Sequence, residues 1–532
     1  MVLDSGKILT KDNLYVLLMT VILFAVYWHG AHSYPWLEDS DSYEHASAVR
    51  FISEFGHPFQ PEPYAIHYLL PYPPIYDILA TVFYRLSALP IPDALKTFNA
   101  LLCALTIPTF YLWSKAKFGE RIGIWSTFAI FALPSFMSHF IWSQSLAILL
   151  MFPAMYLLEK RSKWSAPAMA LVLITQPSVA VIFTLIMCIY AWFMCENKKF
   201  SLFYDLSKYW KEAYEELKPF YYVVGAVALA FVVFWLPIFL MYGTDAVLKQ
   251  ITFTDIYTFP SQTYGLTDFI NAPLETQIDQ ATGFGWPIFF LAVFGLGMAL
   301  RNKDWFLVSL FVFCLIGTEG NLLPYKLFPH RFWVFLAIPV AILSANAIVW
   351  ILEKSKILLL FVCLALPQLT YVMNKVNVVA TILVLLILLF CFAPKFEVQT
   401  MAWPSHQLLT LKQMQGWMAL QANLPRDTMV FGYCNKEQLA DGSGLRGRAW
   451  DEEVIGHKRL DFTNDQDYLF LRAKGYQYAV IDVSCILDNT PETTNGKIQQ
   501  LLADERFQVI PELSNEEMVV IQVVSPSSRT VP

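Results

Sequence analysis

Long stretches without Asp, Glu, Lys or Arg fill the first three quarters of the chain. Residues 14–37, 97–114, 122–158, 164–195, 219–244, 280–300, 305–318, 332–352, 357–374 and 376–394 are each free of those four residue types. A helix that crosses a bilayer needs about 20 mostly apolar residues. Two of the stretches are long enough for two passes each, with breaks at Ser143-Gln144 and Gln176-Pro177. The pattern predicts about 12 spans, within a range of about 11–13. The first run follows Lys7 and Lys11 and is read as a span, because it is long for the apolar core of a cleaved signal peptide. Residues 72–89 are apolar but carry two prolines, Asp77 and Arg85. They are expected to form a helix at the outer interface instead of a crossing.

Beyond Pro394 the texture changes to charged, turn-rich sequence, which marks a domain boundary. Residues 1–394 are expected to be the membrane domain and 395–532 a soluble one. Within the tail, 429–434 (MVFGYC), 479–483 (AVIDV) and 518–524 (MVVIQVV) read as short strands rich in Val and Ile. Helical stretches intervene around 408–422, 465–474 and 496–503, an alternation that predicts a small α/β domain. The fold class expected is therefore a polytopic α-helical membrane protein with a C-terminal α/β domain.

Lys and Arg give the orientation, since short cytoplasmic loops carry the positive excess. Lys115, Lys117 and Arg121 form one cluster; Lys160, Arg161 and Lys163 a second; Lys198, Lys199, Lys208, Lys211 and Lys218 a third. Arg301 with Lys303, and Lys354 with Lys356, complete five. Placed together in the cytoplasm, they put the N-terminus inside and the loops at 31–96 and 243–284 outside. Twelve spans would return the tail to the inside, and the weak point is 357–394, where Pro367 and Asn374-Lys375 interrupt the apolar pattern.

Composition agrees: 56% of the 532 residues are hydrophobic and 15% charged, against about 25% charged in soluble domains. A net charge of −6 excludes a nucleic-acid binder, which requires a basic face. Most of the eight cysteines lie in or beside apolar runs and behave as small hydrophobes. Cys434 and Cys485, in the tail, are either a disulfide or two buried thiols.

Chemistry concentrates in three places. The first follows the opening span: Glu38, Asp39, Asp41 and Glu44 supply four carboxylates within seven residues, followed by His45, Arg50, Gly56 and His57. Such a group can bind a divalent cation or accept a proton from an incoming hydroxyl or amide. The alternative is a solvated helix start with Asp39 or Asp41 as N-cap. The second is Thr318-Glu319-Gly320-Asn321 with Lys326, His330 and Arg331. Arg331 and His330 can meet an anionic lipid headgroup through paired donors or act as an interfacial anchor. The third, 135–145 (SFMSHFIWSQS), holds His139 and Gln144 but no acid, and reads as a polar surface turn.

These residues resemble the GT-C glycosyltransferases, most of all the catalytic subunits of archaeal and other oligosaccharyltransferases. Asp41, Tyr43, His45, Arg50 and Gly56 fit the family's first outer loop, in which a Gly follows the Asp by fifteen positions, and Tyr72-Pro73-Pro74 is similar to a later turn of that loop. His330-Arg331-Phe332, running on to Ala341-Ile342-Leu343, resembles the helix whose Arg lies by the active site. Two departures stand out. Gln144 falls where the family's second acidic motif should lie, and the Trp-Trp-Asp-Tyr-Gly motif is absent. The carboxylate of the long outer loop has three candidates: Asp255, Asp268 and Glu275.

The resemblance implies a transferase moving a sugar or oligosaccharide, with inversion, from a polyprenyl-phosphate or diphosphate carrier to a protein, lipid or glycan acceptor. Asp41 would be base or metal ligand, with Asp39 its partner. Arg331, His330, His45, Arg50 and Tyr72 would contact substrate. A Mg2+ or Mn2+ ion would be held by Asp41 with Asp255, Asp268 or Glu275, and metal-independent use of Asp41 fits equally. The setting implied is the plasma membrane of an archaeon or bacterium, with active site and tail outside. The rival reading is a transporter or flippase of a lipid-linked sugar or small solute. Transporters keep ionisable groups at the midplane, whereas these spans are nearly free of them. A non-enzymatic assembly subunit is a third reading.

Overall fold

The structure, a computed structural model, describes residues 10–59, 72–195, 206–243, 264–271, 283–319, 329–365, 370–401, 410–434, 438–448 and 452–524. Helix α1 (Lys11–His32) starts at Thr10, whose hydroxyl accepts the Asn13 N–H. Next come α2 (Ser40–Phe55), α3 (Ile75–Ser87), α4 (Ile91–Phe118), α5 (Glu120–Ala132) and α6 (Ser143–Glu159). Then follow α7 (Ser165–Leu173), α8 (Pro177–Cys195) and α9 (Leu206–Ala230), which passes through a π-turn at Phe231–Trp235 into α10 (Leu236–Tyr242). A short α11 (Leu266–Ile270) precedes α12 (Trp286–Asn302), α13 (Trp305–Thr318), α14 (Pro329–Ala365) and α15 (Thr370–Thr400).

The tail contributes α16 (Leu411–Asn423), β1 (Val430–Gly432), α17 (Gln438–Ser443), α18 (Glu452–His457), α19 (Asn464–Lys474) and β2 (Tyr478–Asp482). It closes with α20 (Ser484–Asp488), α21 (Pro491–Leu502), β3 (Phe507–Val509) and β4 (Met518–Val523).

Two compact units result: Met1–Ser33 with Lys96–Asp245 and Thr252–Met401, and Tyr34–Leu95 with Ala246–Ile251 and Ala402–Pro532. The first is a helical bundle. Among the described residues, six helical stretches are long and apolar enough to cross a membrane: Lys11–His32, Ile91–Phe118, Pro177–Cys195, Tyr214–Met241, Arg331–Lys354 and Thr381–Thr400. α6, α12 and α13 are apolar but shorter. Leu14, Leu17, Leu18, Leu240, Leu389 and Phe390 are exposed to the surroundings; large apolar side chains on an outer face suit lipid. Backbones approach closely where glycine permits. A Cβ on Gly30 would lie 1.8 Å from the Gln399 carbonyl oxygen, and one on Gly295 would lie 1.9 Å from that of Leu343. Small residues at such crossings are what let membrane helices pack.

Two differences from the sequence reading appear here. α14 runs unbroken through Lys354 and Lys356 to Ala365, so that pair sits on a helix and not in a turn between two spans. α15 continues through Pro394 to Thr400, carrying the bundle six residues past the expected boundary at 394. Proline ended neither α14, with its Pro339, nor α15; membrane helices tolerate proline where other groups can satisfy the freed backbone carbonyl.

The second unit joins the segment Tyr34–Leu95 to the tail. Its sheet has the order β1-β2-β4-β3: β1 pairs parallel with β2 (Val430 opposite Tyr478), and β4 pairs antiparallel with β2 (Ala479 opposite Ile521) and β3 (Gln508 opposite Gln522). Phe431, Tyr433, Leu471, Tyr476, Ile481 and Ile521 form its core. A disulfide links Cys434 and Cys485. The loop helix α2 lies on α17: Tyr43 packs against Gly442, where a Cβ would meet its ring at 2.3 Å. The Arg50 guanidinium donates to the Gly442 carbonyl at 2.8 Å. The loop and the tail therefore pack together within one unit.

Candidate active-site residues

The acidic start of α2 separates its two aspartates by role. Asp39 is the N-cap, extended at φ −155° and ψ 168°; its carboxylate accepts the Ser42 N–H at 2.8 Å and the Ser42 hydroxyl. It is 3% exposed, and it caps the helix start. Asp41 stands in the first turn, half-buried, and among the described residues its carboxylate has no hydrogen-bonded or ion-paired partner.

His45 follows Asp41 by one turn on the same face. Its Nδ1 meets the Asp77 carboxylate at 2.7 Å, both side chains being buried. The ring rests on Tyr76 at 4.6 Å and meets the edge of Tyr72 at 6.0 Å. Asp77, seen in the sequence only as an interruption of an apolar segment, thus anchors α3 to α2. Tyr43 is buried, and loss of water pushes its phenol well above 10. Tyr34 is raised to about 12 by burial first and by Glu38 second.

In the first unit, Arg331 opens α14. Its guanidinium donates to the Ser178 hydroxyl at 2.7 Å and lies over the Trp142 ring at 5.8 Å. Ser178 in turn donates to the Gln176 side-chain oxygen at 2.8 Å, which also caps α8 by accepting the Val179 N–H at 2.7 Å. Trp333, two residues on, is packed among Tyr264, Phe269 and Phe284. Glu319 has its carboxyl raised by burial, opposed by the Tyr264 N–H, with Asp268 adding to the rise. The His330 side chain lies outside the described residues.

Metal ligation finds limited support among the described residues. No three His, Cys, Asp or Glu side chains are grouped there for an ion. Asp268 instead accepts the Gly265 N–H at 2.7 Å, and Asp255 and Glu275 lie outside the described residues.

The segment 133–142 overturns the surface-turn reading, for every residue in it is buried. It is non-helical backbone inside a helical bundle, and side chains from α1, α4 and α15 satisfy it. Tyr27 and Lys395 donate to the Phe136 carbonyl at 3.2 and 3.0 Å. Cys103 donates to Ser138, and the Asn99 amide to the carbonyls of His139 and Phe140. Gln399 accepts the His139 N–H at 3.0 Å. Irregular backbone at membrane depth persists only where protein supplies such partners. Lys395, fully buried, went unnoticed in the sequence because one lysine beside Pro394 reads as the end of a span.

Solved structures with the same fold include the oligosaccharyltransferase AglB from Archaeoglobus fulgidus in complex with an inhibitory peptide and a dolichol-phosphate. It is 12% identical, with a TM-score of 0.57 over 94% of this chain and 74% of that one. ArnT from Cupriavidus metallidurans bound to undecaprenyl phosphate is 15% identical, with a TM-score of 0.55 over 96% and 98%. The arabinofuranosyltransferase AftD from Mycobacteria is 14% identical, with a TM-score of 0.53 over 97% and 40%. At these identities the likeness is one of fold. No family model and no curated protein sequence matches the chain.

Proposed function

We propose that the protein is a membrane glycosyltransferase that moves a sugar or oligosaccharide from a polyprenyl-phosphate or diphosphate carrier to an acceptor, with inversion. The observation that carries this reading is Asp41: of the two aspartates at the start of α2, Asp39 caps the helix, whereas Asp41 has no hydrogen-bonded or ion-paired partner among the described residues. A carboxylate of that kind takes the proton of an acceptor hydroxyl or amide as its oxygen or nitrogen attacks the anomeric carbon. The bond from that carbon to the carrier phosphate breaks, and its electron pair leaves with the phosphate. Arg331 is the cation suited to the departing charge. The carriers bound by two proteins of the same fold, dolichol-phosphate in AglB and undecaprenyl phosphate in ArnT, support a lipid-linked donor.

The active face is the outer one in this reading, and the membrane is the plasma membrane of an archaeon or bacterium. Supporting it are the five positive clusters and the Cys434–Cys485 disulfide, since disulfides persist in oxidising compartments. The test is transfer by purified protein in lipid nanodiscs, supplied with labelled polyprenyl-linked sugars with and without chelator. Wild-type protein transfers label, and Asp41→Asn, expressed and folded, does not. Normal turnover by that variant sinks the assignment of the base; no transfer from any lipid-linked donor sinks the activity.

A further inference from the structure

Three helices of the bundle leave an apolar groove on its surface. α8 forms the floor with Cys188, Ile189, Trp192 and Phe193, while Phe220 of α9 and Ser309 of α13 form the walls. The groove has a volume of about 400 Å³, within the range of ligand clefts, and it opens to the outside. The surface around it is apolar: Val181 and Leu185 of α8, and Val312 and Ile316 of α13, are exposed, as is Trp192 itself. In a bilayer such a face meets hydrocarbon.

One end of the groove is basic. The Cys195 thiol, at the end of α8, donates to the Glu216 carbonyl of α9 at 2.9 Å. The neighbouring Glu215 carbonyl accepts from the Arg161 guanidinium at 3.1 Å, and the Tyr222 hydroxyl donates to the Arg161 carbonyl at 3.2 Å. These bonds fix the turn between α6 and α7 against α9. From Glu215, Phe220 lies about 7.5 Å further along that helix. Lys160 and Lys163 flank Arg161, and Arg301 and Lys303 precede α13; all five are exposed, and none has a carboxylate partner among the described residues. The nearby acids are largely engaged: Glu159 pairs with Lys117, Glu215 with Lys218, and Asp304 caps α13. A positive surplus remains. Trp164 and Trp305, exposed beside the same basic turns, are the aromatic residues that favour a membrane–water boundary.

We infer that this groove holds one acyl chain of an anionic phospholipid whose headgroup phosphate rests on Arg161 and the basic turns around it. An apolar channel and a cation set, separated by little more than one helical turn, match the two ends of such a molecule. The guanidinium suits the phosphate oxygens through its paired donors. A zwitterionic head would bring its own cation into a surplus of positive charge, so the site selects net negative lipids. No residue of the groove belongs to the proposed transfer machinery, and the inference goes beyond that reading without depending on it. In the orientation proposed above, the site faces the cytoplasmic leaflet, whose surface is negative.

The experiment titrates the full-length protein in detergent micelles with palmitoyl-oleoyl phosphatidylglycerol and with the phosphatidylcholine of the same chains, and counts bound lipid by native mass spectrometry. A cation near a membrane surface is worth about fivefold in binding, so the wild type is expected to favour the anionic lipid by about tenfold or more. Arg161→Gln should cut that preference about fivefold and leave phosphatidylcholine binding unchanged. Ser309→Trp fills the groove while keeping every charge, and should lower phosphatidylglycerol binding to the level of phosphatidylcholine. If either variant melts early, the wild type decides: phosphatidylglycerol with a diazirine on its acyl chain should label residues 188–193, and unlabelled phosphatidylglycerol should suppress the label. Equal binding of the two lipids by the wild type overturns the site, as does full preference in a folded Arg161→Gln or Ser309→Trp protein, or labelling that misses 188–193. Suppression by glycerol 3-phosphate would show a head held without the groove and also overturns it. Suppression by undecaprenyl phosphate at lower concentration than by phosphatidylglycerol gives the groove to a polyprenyl tail and overturns the phospholipid.

Discussion

Asp39 and Asp41 are separated by one residue, and their replacements should have opposite consequences. Asp39 accepts both the N–H and the hydroxyl of Ser42, so Asp39→Ala removes a helix cap, at a cost of about 1 kcal/mol with a range of about 0.5–2. Asp39→Asn retains one carbonyl oxygen for the Ser42 N–H and should lose only part of that. Among the described residues Asp41 has no partner to lose, and Asp41→Asn forfeits a favourable charge near a helix N-terminus, about 0.3–1 kcal/mol. Activity should run the other way. Removing a general base costs about 100-fold to 10,000-fold, or about 2.7–5.5 kcal/mol on the barrier. Initial transfer rates at saturating labelled donor, paired with hydrogen exchange of the α2 amides, read both quantities on one preparation. Asp41→Asn should show native α2 protection and a transfer rate at least about 100-fold down; Asp39→Ala should show faster exchange in α2 with residual turnover. A transfer rate for Asp41→Asn within about threefold of wild type, with Asp39→Asn inactive, would refute the assignment and move the base to Asp39.

The disulfide closes a loop with a sequence separation of 51 residues, which in the chain-entropy relation stabilises the tail by about 4 kcal/mol. Cys434→Ser paired with Cys485→Ser should lower the tail's denaturation midpoint accordingly, and an unchanged midpoint would remove the disulfide from its stability. Gly30→Val drives a side chain into the Gln399 carbonyl, so the α1–α15 contact should lose about 1–3 kcal/mol or more by overpacking; wild-type melting of the purified variant would contradict that close approach. Asp504 is held near 2 chiefly by hydrogen bonds from Arg506. Its folded pKa lies below the ordinary 3.8, so the stability it lends is complete above about pH 4 and is lost as pH falls towards 2. Asp504→Asn should flatten that part of the acid-unfolding curve, read by exchange of the β3 and β4 amides; an unaltered curve would show the pair to be inert.

Much of the architecture could be read in the chain because its cause is local. An uncharged stretch of bilayer length has one good explanation, and Val-rich and Ile-rich strands such as β2 and β4 carry their own signal. β3 did not, being three residues with a polar Gln508 at its centre. The site was harder, since its decisive contacts join distant residues. SFMSHFIWSQS has the composition of a surface turn; only the donors Tyr27, Asn99 and Lys395, brought from three other helices, make it a buried strap. Sequence spacing left Asp39 and Asp41 equivalent as caps, and the backbone angles of a single residue decide between them. Arg50, expected at substrate, is drawn to a carbonyl 392 positions away.

Lys354 and Lys356 read in the sequence as a turn between two spans, yet α14 runs unbroken past both to Ala365. A charged stretch of helix and a charged turn look alike in a linear reading, because both interrupt the apolar pattern in the same way. Only the continuity of the backbone hydrogen bonds distinguishes them.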